Sequence, residues 1–259
     1  MIGTTELVAG WRRVGVREGA TLMVHASLSS LGRVEGGAGT VVASLREAVG
    51  PAGTVAVPAF TWEVADPDPE HVGVPDPEVA ARRAAVPLFG PGLPVTRALG
   101  AVPEALRSLP QSLRSAHPQA SVAAVGARAA EITEGQSLGF ALGRNSPFGR
   151  LHDLDAHILL IGVGHDRNSF LHHVESLLPR PRLKVRRFPM EVAGERVWVE
   201  TPDVGDDNGT HFPVLGAAFE RHAGIAEVKV GGAACRLLPA RALVDFAAPL
   251  LQRLLDHGE

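Results

Sequence analysis

The chain has 259 residues, of which 45% are hydrophobic and 20% charged, and its formal net charge is −3 at pH 7. The hydrophobic content is sufficient for a sizeable core and argues against disorder along the whole chain. The slightly acidic balance argues against a nucleic-acid-binding protein, because such proteins present a basic surface to phosphate. We therefore expect one folded domain spanning residues 1–259, with no nucleic acid among its partners.

The single cysteine, Cys235, excludes a disulfide within the chain and fits a reducing compartment. The segment from Met1 to Glu6 has no basic stretch followed by an apolar one, so it predicts a capped helix rather than a signal peptide. No apolar run reaches the ~18 residues of a membrane span. We expect a cytoplasmic protein that does not bind membranes.

The first half of the chain alternates helices and strands. The predicted elements are a helix over residues 5–16, a strand over Thr21–Ala26, a loop of small residues over Ser27–Gly39, a helix over Thr40–Val49 and a strand over Thr54–Phe60. This order is a βαβ unit, which implies a parallel strand pair. Residues 61–98 are rich in proline and predict irregular structure. There follow a helix within Pro94–Leu109, a strand over Ser121–Val125, a helical turn over Ala127–Ile132 and a loop over residues 134–149.

The second half begins with a buried strand over His157–Val163, which runs into a glycine-rich turn and a short helix. The later predicted elements are a β-hairpin of Leu183–Val192 and Glu195–Thr201, a helix over Phe212–His222, strands over Ala226–Val230 and Ala234–Leu238, and a last helix from Leu243 to Leu255. The whole pattern predicts an α/β fold: a layered α/β/α domain with a mixed, partly parallel sheet and a late β-hairpin.

The short helix carries the first candidate catalytic pair, His172 and Glu175. Residues three apart lie on one side of a helix, so this carboxylate could hold the imidazole as a general base. At ~100° per residue, both fall at one edge of the apolar stripe of the helix, whereas His173 falls on the far side. The pattern thus favours His172 over His173 as the partner of Glu175. A half-buried His–Glu pair on a surface helix fits the same spacing equally well.

His165 and Asp166 enlarge this group to three histidines and two carboxylates, the residue types that bind a metal. However, adjacent histidines on a regular helix cannot both face one ion, and the second histidine of the zinc-protease motif is absent. We therefore expect no metal, and we expect Asn168 or Asp166 to cap the helix instead.

A second candidate site follows the first strand, where a loop of small residues leads from His25 to a helix that starts beyond Gly36 and Gly37. The amide groups and dipole of a helix N-terminus suit a phosphate, and Arg33 could add a positive charge. The glycine pattern is neither a Walker loop nor a dinucleotide fingerprint, so an ordinary turn is an open alternative. His117, held extended before Pro118, could position a ligand or serve the structure alone.

Two stretches are acidic. The first contains Glu63, Asp66, Asp68, Glu70, Asp76 and Glu78 with no Lys or Arg between them, and the second contains Glu200, Asp203, Asp206 and Asp207. Such loops favour a cationic ligand, although solvated loops have the same composition.

These motifs, in this order, resemble the aminoglycoside 3-N-acetyltransferase family across about residues 5–250. The matching segments are 24–32 (VHASLSSLG), 35–37 (EGG), 114–118 (RSAHP), 146–147 (SP), 151–155 (LHDLD), 161–168 (IGVGHDRN), 171–175 (LHHVE), 235–237 (CRL) and 244–246 (VDF). Two departures stand out: His173 occupies a position that is often aromatic or apolar in the family, and residues 61–98 match least.

The resemblance implies transfer of acetyl from acetyl-CoA to the 3-amino group of an aminoglycoside, which confers antibiotic resistance. His172 would be the general base, Glu175 its orienting carboxylate and the amine the nucleophile. Backbone amides near Ser27–Ser30, or His25, would stabilise the oxyanion. The residues expected to bind acetyl-CoA are His25, Ser27, Leu28, Ser29, Arg33, Gly36, Gly37 and His117. Those expected to bind the cationic amine are Glu63, Asp66, His165, Asp166, Asn168 and Asp206.

Three alternatives remain open at this stage. One is acetylation of an amine that is not an aminoglycoside. Another is a metal-dependent amide or ester hydrolase built on His165, Asp166, His172 and Glu175. The third is a protein that binds CoA or polyamines without catalysis. The chain is expected to be a monomer or a homodimer.

Overall fold

The computed structural model describes residues 1–73, 76–205 and 209–257, so Asp206 lies outside the described residues. The α-helices α1 to α9 of this part span Thr4–Val14, Gly37–Val49, Pro77–Ala85, Ala101–Arg107, Ala129–Thr133, Pro147–Asp153, Phe170–Ser176, Phe212–Ala223 and Ala240–His257. The strands β1 to β9 span Thr21–Ala26, Thr54–Pro58, Leu113–Arg114, Val122–Gly126, His157–Ile161, Leu183–Val192, Glu195–Val204, Val228–Val230 and Ala233–Pro239. None of these helices is long and apolar enough to cross a membrane.

Seven strands form one mixed sheet in the order β3-β4-β2-β1-β5-β9-β8. Strand β1 runs parallel to both β2 and β5, and the outer strands pair antiparallel. The predicted partly parallel sheet is confirmed. The central strands are mostly apolar, as expected where helices cover both of their faces.

Alternate residues of β1 point into two separate cores. Leu22 packs in a cluster with Trp11 of α1 and Leu45 of α2. Met23, the next residue, packs in a cluster with Phe170 of α7 and residues of α8 and α9. The period of two along a strand thus produces helices on both sides of the sheet. The predicted α/β/α layering is confirmed.

The predicted hairpin is confirmed as a separate two-stranded sheet of β6 and β7. Its turn consists of Ala193 and Gly194, whose φ angles of 52° and 83° match the left-handed geometry of a two-residue hairpin. Strand β7 is three residues longer than predicted and reaches Val204, which pairs with Leu183.

Two short helices, α3 and α6, lie in segments that were predicted to be irregular. The side chain of Asp76 accepts hydrogen bonds from two backbone amides at the start of α3, and Ser146 does the same for α6. In both cases proline occupies the first helical position, where its missing N–H is not needed. A capping residue followed by proline, which is typical of a helix start, is therefore present in the sequence at both helices. In the first segment the high proline content concealed this pattern.

The three parallel strands end at the same edge of the sheet, at Ala26, Pro58 and Ile161. Each of these strands is followed by a loop at this edge. Strand β1 lies between β2 and β5; helix α4, which follows β2 in the chain, packs on one face of the sheet, whereas α7, which follows β5, packs on the other. Ligands of open α/β sheets bind at such a position.

Candidate active site

A cleft of about 1350 Å³ opens at this edge of the sheet. It is bounded by the loops that follow β1, β2 and β5, by the start of α4 and by residues of the β6–β7 hairpin. Pockets for one small molecule commonly measure about 300–1,000 Å³, so this cleft has room for two substrates side by side.

Most of the residues predicted to hold acetyl-CoA lie along this cleft. The lining residues from that set are His25, Ser27, Leu28, Ser29, Arg33 and Gly37. Residues Leu28–Leu31 form a short 3-10 helix, and the hydroxyls of Ser27 and Ser29 lie 3.1 Å apart. Gly36 does not line the cleft; its φ of 69° shapes the turn into α2.

Gly162 allows the loops after β1 and β5 to meet. Its φ is +60°, and a Cβ at this position would lie 1.8 Å from Oγ of Ser30. Because glycine has no Cβ and adopts positive φ readily, the two loops can touch here and form one continuous wall.

His172 faces the cleft from α7, and its ring packs edge-on against Phe212 with centroids 4.8 Å apart. His173 is fully buried, and its Nδ1 lies 2.7 Å from the carbonyl oxygen of Leu142. Burial lowers the pKa of His173 to about 4. Of the two adjacent histidines, His172 is therefore the one that a substrate in the cleft can reach.

Contrary to our expectation, Glu175 pairs with an arginine rather than with His172. Its carboxylate is completely buried and accepts hydrogen bonds from Nε and Nη2 of Arg182, at 2.8 and 3.0 Å. Within the described residues no hydrogen bond joins Glu175 to His172. A guanidinium can satisfy both carboxylate oxygens at once, which an imidazole cannot. The helical spacing indicated a shared edge but could not show that an arginine seven residues away would take the carboxylate.

His25 lies at the end of β1 and is 5% exposed. Burial, together with the nearby His165, lowers the pKa of His25 to about 3, so the ring is neutral at physiological pH. Its Nε2 is buried and has no hydrogen-bond partner among the described residues.

His165 and Asn168 do not line the cleft, and their contact with the amine stays a prediction. His165 lies 2.9 Å from Oε1 of Glu220 through its Nε2, and its Nδ1 is 3.3 Å from the side-chain nitrogen of Asn168. Asn168 Oδ1 in turn accepts from the backbone amide of Phe170, the first residue of α7, whereas the N-cap position itself is Ser169 and has no side-chain cap. Asp166, by contrast, does line the cleft.

His117 is fully buried and does not line the cleft, and its contact with acetyl-CoA stays a prediction. Its Nδ1 accepts from the backbone amides of Gln119 and Ala120, and its Nε2 lies 3.0 Å from the carbonyl oxygen of Leu138. Every polar atom of the ring is used within the fold, which leaves none for a ligand.

Asp66 and Glu63 do not line the cleft either. The carboxylate of Asp66 is buried between Arg83 of α3 and Arg187 of the hairpin, which neutralise it and join Asp66 to both elements. Glu63 is exposed and accepts a hydrogen bond from Oγ1 of Thr96 at 2.6 Å. The contact of Asp66 with the amine therefore stays a prediction that the lining of the cleft does not support.

In the hydrolase alternative, His165 and Glu175 would help to hold one metal ion. In the structure His165 pairs with Glu220 instead, and Glu175 pairs with Arg182. Across residues 1–73, 76–205 and 209–257, no group of three or more His, Cys, Asp or Glu side chains is placed to hold a metal ion. The geometry does not support the hydrolase.

The structure also places in the cleft residues that the sequence did not single out. These are Trp62 after β2 and the hairpin residues Lys184 and Arg186, joined by Asp203 from the second acidic stretch. The hairpin folds back over the edge of the sheet, a relationship that no local pattern encodes.

These features define an α/β enzyme whose described residues form a large cleft with His25 and His172 in its wall. Residues 23–252 match the family model described as aminoglycoside 3-N-acetyltransferase, and the chain belongs to that family.

The chain is 35% identical to aminoglycoside N(3)-acetyltransferase VII of Streptomyces paromomycinus over 268 residues, covering 98% of this chain and 92% of the relative. It is 35% identical to the acetyltransferase-like protein YokD of Bacillus subtilis over 239 residues, covering 91% and 87%. Among solved structures, AAC-IIIb in a binary complex with CoASH aligns with a TM-score of 0.85 at 29% identity, covering 97% of each chain. AAC-VIa bound to sisomicin aligns with a TM-score of 0.85 at 32% identity, covering 97% of this chain and 98% of that one.

Proposed function

We propose that this protein transfers the acetyl group of acetyl-CoA to the 3-amino group of an aminoglycoside and thereby confers resistance. The observation that carries the proposal is the position of His172 in a cleft large enough for both substrates. Membership of the acetyltransferase family supports it, as do the similar structures with CoASH and with sisomicin.

Acetyl-CoA would lie against the loop that follows β1. The helix α2 begins at Gly37 in the wall of the cleft, and its first amide groups have no acceptor within the helix. Together with the helix dipole and the exposed guanidinium of Arg33, they suit the diphosphate of CoA. The pantetheine arm would then follow Ser27–Ser29 towards the end of β1.

His172 would act as the general base. An ammonium group has no lone pair to attack a thioester, so the imidazole must take a proton from the amine before or during attack. The nitrogen then bonds to the carbonyl carbon and the carbon–sulfur bond breaks. Of the two protons that the ammonium nitrogen loses in becoming the amide, one goes to solvent and the other passes through His172 to the CoA thiolate, which leaves as a thiol. General-base catalysis of this kind contributes about 10²–10⁴ in rate.

His25 would donate a hydrogen bond to the oxyanion of the tetrahedral intermediate. A buried N–H without an acceptor is more unfavourable than a buried lone pair without a donor, so the unpartnered Nε2 favours the tautomer with the proton on Nδ1. That tautomer is neutral and has one N–H available for the cleft that the ring lines. A preorganised donor of this type is worth about 10²–10³ in kcat.

Glu175 would contribute indirectly. Its ion pair with Arg182 connects the helix of His172 to the residue just before the hairpin, so it would position the base relative to the hairpin wall. Asp166 in the cleft, with Asp206 of the second acidic stretch, would attract the cationic acceptor.

The decisive experiment measures thiol release from acetyl-CoA with kanamycin, gentamicin, sisomicin and apramycin, and assigns the acetylated amine by NMR. The wild type should acetylate at least one of them at the 3-amino group, and expression of the gene should raise the inhibitory concentration of that drug. His172→Ala should bind CoA normally but lose about 10²–10⁴ in turnover. His222→Ala, which changes an exposed histidine on α8, is the matched control. Near-normal turnover by His172→Ala, or no acetylation of any of these drugs, would contradict the proposal.

A further inference from the structure

The turn that follows β2 is held in place from several directions. Thr96 accepts a hydrogen bond from the amide of Trp62 through its Oγ1 at 2.8 Å, and its own amide donates to the carbonyl of Phe60. On the other side, the amide of Thr61 donates to the carbonyl of Gln119, whose side chain donates to the carbonyl of Val64. Such a turn has little freedom to move.

Despite this rigid support, the side chain of Trp62 is 47% exposed and lines the cleft. The other two tryptophans are used within the fold. Trp11 is completely buried and donates to Ser44, whereas Trp198 lies beneath the guanidinium groups of Arg187 and Arg196 outside the cleft. Trp62 is thus the tryptophan that offers its ring surface to a bound molecule.

We propose that Trp62 is a stacking platform for the amine-bearing ring of the acceptor and helps to determine acceptor specificity. A large aromatic face packs against flat apolar ring surfaces, and its π-electrons attract nearby ammonium groups. The next residue, Glu63, carries an exposed carboxylate that accepts a hydrogen bond from Thr96, the residue that also binds the amide of Trp62, and its negative charge adds to the attraction for a cation.

The placement favours the acceptor over acetyl-CoA. The amide of Asp66, four residues beyond Trp62, donates to the carbonyl of Arg187 in the hairpin, so the tryptophan belongs to the wall that faces the hairpin. The proposed phosphate site lies elsewhere, at Arg33 and the start of α2. This inference rests on the proposed function for the identity of the acceptor, but not on the acetyl transfer itself.

Calorimetric titration of sisomicin into the protein saturated with CoA tests the inference. Because CoA has no acetyl group to transfer, the titration measures acceptor binding without turnover. We expect Trp62→Ala to weaken sisomicin binding about tenfold, and Trp62→Phe, which keeps an aromatic face, to weaken it less than about threefold. Trp198→Phe is the matched control and should bind sisomicin as the wild type does. The Kd for CoA should be unchanged in all variants, and thermal unfolding confirms that each variant is folded.

Two results would overturn the inference: an unchanged sisomicin Kd in Trp62→Ala, or a loss of CoA affinity with sisomicin affinity retained. The experiments distinguish a failure of this inference from a failure of the proposed function. Tryptophan-dependent sisomicin binding without thiol release would exclude acetyl transfer and leave the platform intact. Normal acetylation with the same acceptor KM in Trp62→Ala would exclude the platform alone.

Discussion

Glu175 binds Arg182 through both carboxylate oxygens and thereby joins the helix that carries His172 to the hairpin that lines the cleft. The carboxylate is inaccessible to solvent, whereas the arginine side chain is 27% exposed. A buried carboxylate without its cation is strongly unfavourable, so each partner depends on the other.

Replacing Glu175 by Gln keeps its size but removes the charge that Arg182 needs. We expect the free energy of unfolding to fall by about 2–3 kcal/mol, less than for a fully buried pair because the arginine reaches solvent. Urea denaturation measures this. Arg180→Gln, which breaks a surface pair with Asp256, should change stability by less than about 1 kcal/mol. Loss of turnover in Glu175→Gln with wild-type stability would instead indicate direct action on His172.

Much of the fold was predictable because its signals are local. The apolar strand from Thr21 to Ala26 has the same bounds in the sequence pattern and in the structure, and the turn at Ala193 and Gly194 determines the hairpin register. Helical geometry correctly separated His172 from His173, but it placed His173 opposite the apolar stripe, whereas the structure buries this residue completely.

The partners of buried charges were not predictable. Asp66 looked like an acceptor-binding carboxylate until Arg187, 121 residues further along the chain, was found to neutralise it. His117 likewise carried a plausible ligand-binding pattern, but its ring binds only backbone groups. The sequence gives the type of each side chain, whereas the tertiary fold decides which of them are already satisfied.

Three buried histidines should make the protein acid-sensitive. Burial lowers the pKa values of His25, His117 and His173 to about 3, 4 and 4, below their usual 6.5. Between pH 6.5 and about 4 the unfolded chain binds protons that the folded protein cannot, so stability rises with pH across this window.

Each histidine should lower the free energy of unfolding by about 1–2 kcal/mol at pH 5 relative to pH 7.5. Denaturation at several pH values measures the slope. His173→Phe should flatten that slope by about one proton, because phenylalanine does not titrate. An unchanged slope in this variant would show that His173 does not contribute.

The proposed tautomer of His25 can be tested with two isosteres. The amide nitrogen of Asn occupies about the position of Nδ1, and that of Gln about the position of Nε2. If Nδ1 donates to the oxyanion, His25→Ala should lower kcat about 10²-fold, His25→Asn should recover part of the loss, and His25→Gln should not. Steady-state kinetics with saturating substrates measures the difference. Recovery by Gln alone would assign the donor to Nε2.

Gly162 offers a test of how the cleft is assembled. In Gly162→Ala the new Cβ would lie 1.8 Å from Oγ of Ser30, at a φ of +60° that alanine tolerates poorly. We expect a loss of about 1–3 kcal/mol in unfolding free energy and a higher KM for acetyl-CoA, because the loop after β1 must move. Adding Ser30→Gly removes both the Oγ and the Cβ of Ser30, which would lie 1.8 and 2.3 Å from the new Cβ, and should recover part of both effects, whereas the backbone strain at residue 162 remains. Full recovery would mean that the contact with residue 30 is what requires glycine at position 162. No recovery would mean that the positive φ requires it.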